Sequence, residues 1–140
     1  MTDRTALVTG AGRAAGLGIA VARALAAQGH HVIVTARDGG QAEEQAAVLR
    51  SEGLSAEGLR LDLADTDDFA RVAAHVGDGH GRLDVLVNAV DPGRVDAHPE
   101  LGVDEEDRPV AESAVWVVWA ATLPADGPTG GVFHDGERLA

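Results

Sequence analysis

The sequence predicts a doubly wound α/β domain built on a parallel sheet, and three observations predict it. Strand-like apolar runs alternate with stretches of helical periodicity along most of the 140 residues. A first strand, Thr5–Thr9, runs directly into a glycine-rich turn over 10–18. Leu83–Val90 is apolar except at Asp84 and Asn88, as expected of a strand covered on both faces.

Each element has its own signal. After the glycine turn, Leu17, Val21, Ala24 and Leu25 recur at helical spacing until Gly29 stops the helix. His31–Thr35 is the second strand. Ala42, Ala46 and Leu49 mark one face of a second helix, with Glu43 and Glu44 near its positive end and Gly53 as its C-cap. Gly58–Leu63 is the third strand. Asp65 and Asp68 have the spacing of a capping box, and Phe69, Val72, Ala73 and Val76 follow as one buried stripe. Pro92-Gly93 breaks the fourth strand, and 94–108 is a polar, acidic loop. Val110–Thr122 is the last helix, and Val132 with Phe133 belongs to a last short strand. The order β-α-β-α-β-α-β-α-β makes residues 1–140 a single domain with helices on both faces of the sheet.

Composition excludes several classes. The formal net charge of −12 argues against nucleic acid and anionic membranes, both of which need clustered cations. Cysteine is absent, so disulfides and thiolate chemistry are excluded. The first residues show no signal peptide, and the apolar run Ala114–Ala121 is too short to span a bilayer. A cytoplasmic protein is expected. The chain contains no tyrosine and no lysine. His75, Asp78 and His80 lie near a helix end, where histidine is favourable by itself, so no metal site is expected.

The turn carries the chemistry. Gly10, Gly12, Gly16 and Gly18 allow a positive-φ turn and close backbone approach, and the next helix aims its N-terminus at the same place. That arrangement suits a dinucleotide pyrophosphate. Val8-Thr9-Gly10 followed by Gly16-Leu17-Gly18 resembles the Thr-Gly-x-x-x-Gly-x-Gly of the short-chain dehydrogenase/reductase family, with Ala14-Ala15 as two extra residues. The resemblance implies a Rossmann-like fold and a nicotinamide cofactor. At the tip of the second strand, Arg37, with Arg13 in the glycine turn, favours NADP over NAD. Asp62 matches the family position that meets the adenine.

Gly81–Asn88 resembles the family's fourth strand, but the family's Asn-Asn-Ala-Gly does not follow. Instead Val87-Asn88-Ala89-Val90-Asp91-Pro92-Gly93 resembles its sixth strand, and the resemblance implies that Asn88, Pro92 and Gly93 lie beside the nicotinamide. Residues 114–116 and 122–131 are similar to its last helix and last strand. The family's middle, with its catalytic Ser and Tyr-x-x-x-Lys, is missing. About five strands in the order 3-2-1-4/6-7 are expected.

Such a loss exposes surface. The last helix is apolar nearly all round, so a homodimer through 110–122 and the final strand is expected. The loop after the fused strand brings Asp91, Arg94, Asp96 and His98 to the carboxyl end of the sheet as candidate acid–base and anion-binding groups. Three readings follow. One is non-redox acid–base chemistry on a small organic molecule, such as cyclisation, isomerisation or dehydration. Another is an NADP-dependent oxidoreductase with a substitute proton donor. The third is a non-catalytic nucleotide-binding or partner module.

Overall fold

A computed structural model describes residues 4–12, 16–89, 110–124, 126–128, 131, 133–134 and 136–138. Its main sheet is parallel and holds β1 (Thr5–Thr9), β2 (His31–Ala36), β3 (Ala56–Arg60) and β4 (Val85–Asn88) in the order β3-β2-β1-β4. Every residue of β1 is buried, because it has a partner strand on each side and helices above and below. The doubly wound class is present, and so is the 3-2-1-4 part of the expected 3-2-1-4/6-7 order.

Strand alternation divides the core in two. Val8, Val34 and Val87 face α1 (Leu17–Ala27), α2 (Gly39–Ser51) and α4 (Val110–Ala121), where Leu25, Leu49 and Val118 close the larger cluster. Leu7 and Ile33 face the other way and pack with Val72 and Val76 of α3 (Thr66–Gly79). The helices start and stop on short polar and glycine signals. The Asp38 side chain caps α2 by accepting from the amides of Gly40 and Gln41, at 2.8 and 3.2 Å. Gly29 and Gly53 both take positive φ just past the ends of α1 and α2. No described helix is long and apolar enough to cross a membrane.

The two polar exceptions in the fourth strand region pin it to its neighbour. Thr5 N–H donates to Asp84 Oδ2 at 2.8 Å, and Asp84 N–H donates back to Thr5 O at 2.9 Å. At the other end Thr9 Oγ1 donates to Asn88 Oδ1 at 3.3 Å. Polar residues interrupt the apolar run where β4 enters and leaves its pairing with β1.

Several sequence expectations are corrected. The third strand begins at Ala56 and ends at Arg60, earlier than the expected Gly58–Leu63. Glu43 and Glu44 lie past the first turn of α2, and Glu43 instead pairs with Arg50 and accepts from Gly58 N–H at 3.1 Å. Asp65 caps α3 through Asp67 N–H, but Asp68 does not complete a capping box. Its fully buried carboxylate accepts from Asp62 N–H at 2.9 Å and pairs with Arg71 at 2.8 Å and Arg60 at 3.3 Å. α3 is therefore turned so that Asp68, Val72 and Val76 face inward, leaving Phe69 and Ala73 exposed.

β4 is not covered on both faces by the described residues. Val85 and Val87 are buried, but Leu86 is 56 % exposed, because α3 packs over β1 and β2 and does not reach it. Nor is α4 buried all round within the chain. It packs on α1 through Ala114 and Val118, while Val115 and Trp116 remain exposed. The expected last strand does not join the main sheet, which has four strands among the described residues. Phe133–His134 (β5) pairs antiparallel with Glu137–Arg138 (β6) as a hairpin, and its Gly136, at φ +81°, lies against the Trp116 ring.

Asp68 has a consequence for acid stability. The Asp62 amide, followed by the Arg60 and Arg71 guanidinium groups, holds its carboxyl below the ordinary 3.8 despite burial. A carboxyl depressed in the folded state stabilises the fold above its unfolded value and loses that contribution as pH falls through the folded value. Asp68→Asn is expected to lower the urea midpoint at neutral pH. The gap from the unaltered chain narrows in acid, as read by circular dichroism across a pH series.

Candidate functional site

The chain reverses direction across the sheet between β1 and β4. Strands β1, β2 and β3 step outward on one side, while α3 carries the chain back to place β4 on the other. Doubly wound folds bind ligands at the carboxyl ends of the strands beside such a reversal. The glycine turn leaves β1 at that point.

The turn is built from close approaches. Gly10 has φ +64°, and a Cβ there would lie 2.3 Å from Ala89 O, just past β4. A Cβ on Gly18 would lie 2.6 Å from Gly10 O and 2.9 Å from Ala11 Cα. At Gly12 it would lie 2.9 Å from Ala36 Cβ. Bare backbone is thus packed against the end of β4, the start of α1 and the end of β2. The last contact is reinforced by Ala11 N–H donating to Thr35 O at 3.0 Å, and buried Thr35 in turn donates Oγ1 to Val8 O at 3.0 Å.

Gly16 precedes α1 in extended conformation with no side chain to cap it, and the first turn carries no acidic residue. The helix therefore offers its amide end and positive dipole to the turn, with no carboxylate in its own first turn to neutralise it. These features fit a bound pyrophosphate.

The other strand tips form the rim. Arg37 is exposed after β2 and has no ion-pair partner among the described residues. The neighbouring Asp38 has its Oδ1 committed to capping α2. Asp62 lies after β3, where its Oδ1 accepts from Ala64 N–H at 3.0 Å and its amide is tied to Asp68. Asn88 is exposed at the tip of β4 and held by Thr9. Gly10, Gly12, Gly16, Gly18, Arg37, Asp62 and Asn88 thus share the carboxyl end of one sheet. Arg13, Asp91, Pro92, Gly93, Arg94, Asp96 and His98 lie outside the described residues.

Sequence reading missed the residues that hold this end together. Thr9 bonds Asn88 and Asp68 bonds the amide of Asp62, both expected ligand positions, while Thr35 ties β2 to β1 beside the turn. Only Asp38 carried a local signal, as an N-cap residue just before the second helix. Asp68 lay in the expected capping box, and its burial depends on Arg60, Asp62 and Arg71 being brought around it.

Comparison with known proteins agrees with this geometry. Residues 4–119 match the family described as short chain dehydrogenase. A ketoacyl reductase assigned to the monensin polyketide synthase of Streptomyces virginiae is 46 % identical over 87 residues, 62 % of this chain and 33 % of that protein. Human dehydrogenase/reductase SDR family member 4 is 36 % identical over 94 residues, 66 % of this chain and 33 % of that protein. The chain spans about a third of the length of the curated relatives it matches.

Among solved structures, a metagenomic short-chain oxidoreductase in complex with NADP superposes with a TM-score of 0.58 at 31 % identity. That match covers 86 % of this chain and 55 % of the other. Menthone neomenthol reductase from Mentha piperita gives 0.59 at 33 % identity, covering 64 % of this chain and 32 % of that one. With the strand order, the glycine turn and a match reaching from β1 into α4, this chain belongs to the short chain dehydrogenase family.

Proposed function

We propose that the chain binds NADP(H) at the glycine turn and performs acid–base chemistry on a small organic molecule without the family's tyrosine–lysine pair. The observation that carries the nucleotide half is the turn at Gly10, Gly12 and Gly18, where bare backbone packs too closely for any Cβ and leads into the uncapped start of α1. Gly16 and the amides opening α1 hold the pyrophosphate. Preference for the phosphorylated cofactor rests on Arg37, which is unpaired among the described residues, while Asp38 is engaged by α2. Asp62 borders the adenine, and Asn88, with Pro92 and Gly93, borders the nicotinamide.

The catalytic half rests on sequence. With no tyrosine or lysine in the chain, proton transfer falls to Asp91, Asp96 and His98, with Arg94 as an anion clamp. A shortened catalytic middle suits non-redox work such as cyclisation, isomerisation or dehydration. A second reading, an NADP-dependent oxidoreductase with a substitute donor, is favoured by the reductase names of the relatives and by the NADP-bound neighbour. When bound, NADPH supplies a hydride for such a reaction. A third reading is a binding module for nucleotide or for a larger reductase. A cytoplasmic setting accords with the absence of cysteine.

Three outcomes are expected. NADPH raises the melting temperature more than NADH does, and Arg37→Glu weakens NADPH binding about tenfold, or about 1.4 kcal/mol, with little effect on NADH. No thermal shift with either nucleotide would remove the cofactor assignment. Asp96→Asn and His98→Ala each slow turnover of a substrate found by screening, whereas unchanged turnover would exclude them from the chemistry. The exposed Val115 and Trp116 of α4 meet a second copy, so sedimentation at micromolar concentration shows a dimer. Val115→Glu shifts it to monomer, and a purely monomeric unaltered chain would overturn the contact.

A further inference from the structure

Four side chains from three elements converge at the opposite end of the sheet from the glycine turn. His31 opens β2, Glu57 is the second residue of β3, His75 lies in α3 and His80 follows the end of that helix. β2 runs from His31 to Ala36, so the cluster lies roughly 16 Å along the strand from the nucleotide end. The proposal is therefore independent of the reading above.

Glu57 is the centre. Its Oε1 lies 2.9 Å from His80 Nε2, 3.0 Å from His75 Nε2 and 3.2 Å from His31 Nε2. His31 and His80 stack with ring centroids 4.8 Å apart. The coordinating atoms of His31, Glu57 and His80 all fall within 4.8 Å of one another. Asp78, close in sequence, is exposed and outside this set. The sequence group of His75, Asp78 and His80 thus contains two of the four converging residues and neither His31 nor Glu57.

An ion pair alone leaves this cluster incompletely satisfied. One carboxylate oxygen has two lone pairs, yet three imidazole nitrogens approach it. His31 Nε2 is the one left over. It is buried and, although 3.2 Å from Oε1, makes no well-directed hydrogen bond. Its other nitrogen, Nδ1, lies 2.6 Å from Ser55 Oγ, which fixes the ring and leaves Nε2 aimed into the cluster. Imidazoles and a carboxylate converging from separate elements are a donor set for a borderline divalent ion, not for calcium or magnesium.

We propose that His31 Nε2, His80 Nε2 and the Glu57 carboxylate bind a divalent transition-metal ion of the Zn²⁺ class, with water in a fourth position. Tetrahedral Zn²⁺ bonds of about 2.0–2.1 Å put ligand atoms about 3.3 Å apart. The Glu57 contacts to His31 and His80 open by a few tenths of an ångström, and the two imidazole nitrogens, within 4.8 Å of each other, close by up to about 1.5 Å through side-chain rotation. His75 stays hydrogen-bonded to Glu57 and orients the carboxylate as an outer partner. The side chains of His31, Glu57 and His80 are each between a fifth and a third exposed, so ion and water have access. A net charge of −12 favours uptake of a cation. The ion ties the start of β2, β3 and the end of α3 together.

The test is a calorimetric titration of the full chain, made without a polyhistidine tag, with ZnCl₂. One saturable site per chain and a melting temperature that rises with Zn²⁺, but not with Mg²⁺, are expected. His31→Asn and His80→Asn abolish the saturable site with unchanged far-ultraviolet circular dichroism. His75→Ala weakens it by about 10–100-fold. Co²⁺ on the unaltered chain reports the site without any variant, and the strong visible bands of a four-coordinate centre are expected. No saturable Zn²⁺ binding, a site that survives both asparagine variants, or a pale six-coordinate Co²⁺ spectrum would overturn the proposal.

Discussion

The architecture depends on backbone meeting backbone where β1 ends. Gly10 passes Ala89 at a distance no side chain permits, and Gly18 lets α1 begin directly under the same turn. Together these contacts set how closely α1, β1 and β4 approach. The buried Val8, Ile19, Val21 and Val87 belong to the cluster formed around that approach. A turn lined by Cβ atoms would push α1 away from the strand tips and open the core beneath it. The same turn leads into α1, whose first amides have no side-chain cap.

Polar groups then hold the strand ends in register around that turn. Asp84 and Asn88 fasten β4 to β1 at its two ends. Thr35 fastens β2 to β1 from inside the sheet. Asp68 gathers the amide of Asp62 and two guanidinium groups, which draws α3 against the tip of β3. Thr35 and Asp68 are buried and partnered, as a polar group in a small core must be, while Asp84 and Asn88 act at the more open ends of β4. At the other end of the sheet, Glu57 plays the corresponding part, drawing the end of α3 toward β2 and β3. Its carboxyl is held at about 2 by the three histidines against the opposing effect of burial.

The apolar surface shows where that framework stops. Leu86 faces the α3 side of the sheet, yet α3 reaches only as far as β1. Phe69 and Leu63 are exposed on the α3 helix and on the segment leading into it. On the opposite face α4 covers β4 through Ala114 and Val118, so that side is packed.

Much of the fold was legible in the residues because its signals are local. Thr5–Thr9, the α1 periodicity ending at Gly29, and the glycine turn each follow from neighbours in sequence. Element order and right-handed crossovers then leave few topologies, and the candidate site at the carboxyl end follows from Gly10 to Gly18 and the strand tips. Which face of α3 turns inward was not legible. Phe69 is the larger apolar group, but buried Asp68 wins because Asp62, Arg60 and Arg71 meet it only once β3 is in place. The convergence of His31, Glu57, His75 and His80 has the same origin. Glu57 lies 26, 18 and 23 residues from His31, His75 and His80, and only parallel register and the lie of α3 make them neighbours. The sequence by itself determined the elements, their order and the glycine turn, because periodicity, caps and steric freedom act over a few residues. The tertiary structure alone decided the inward face of α3, the uncovered Leu86 and the histidine cluster, because those depend on distances between separate elements.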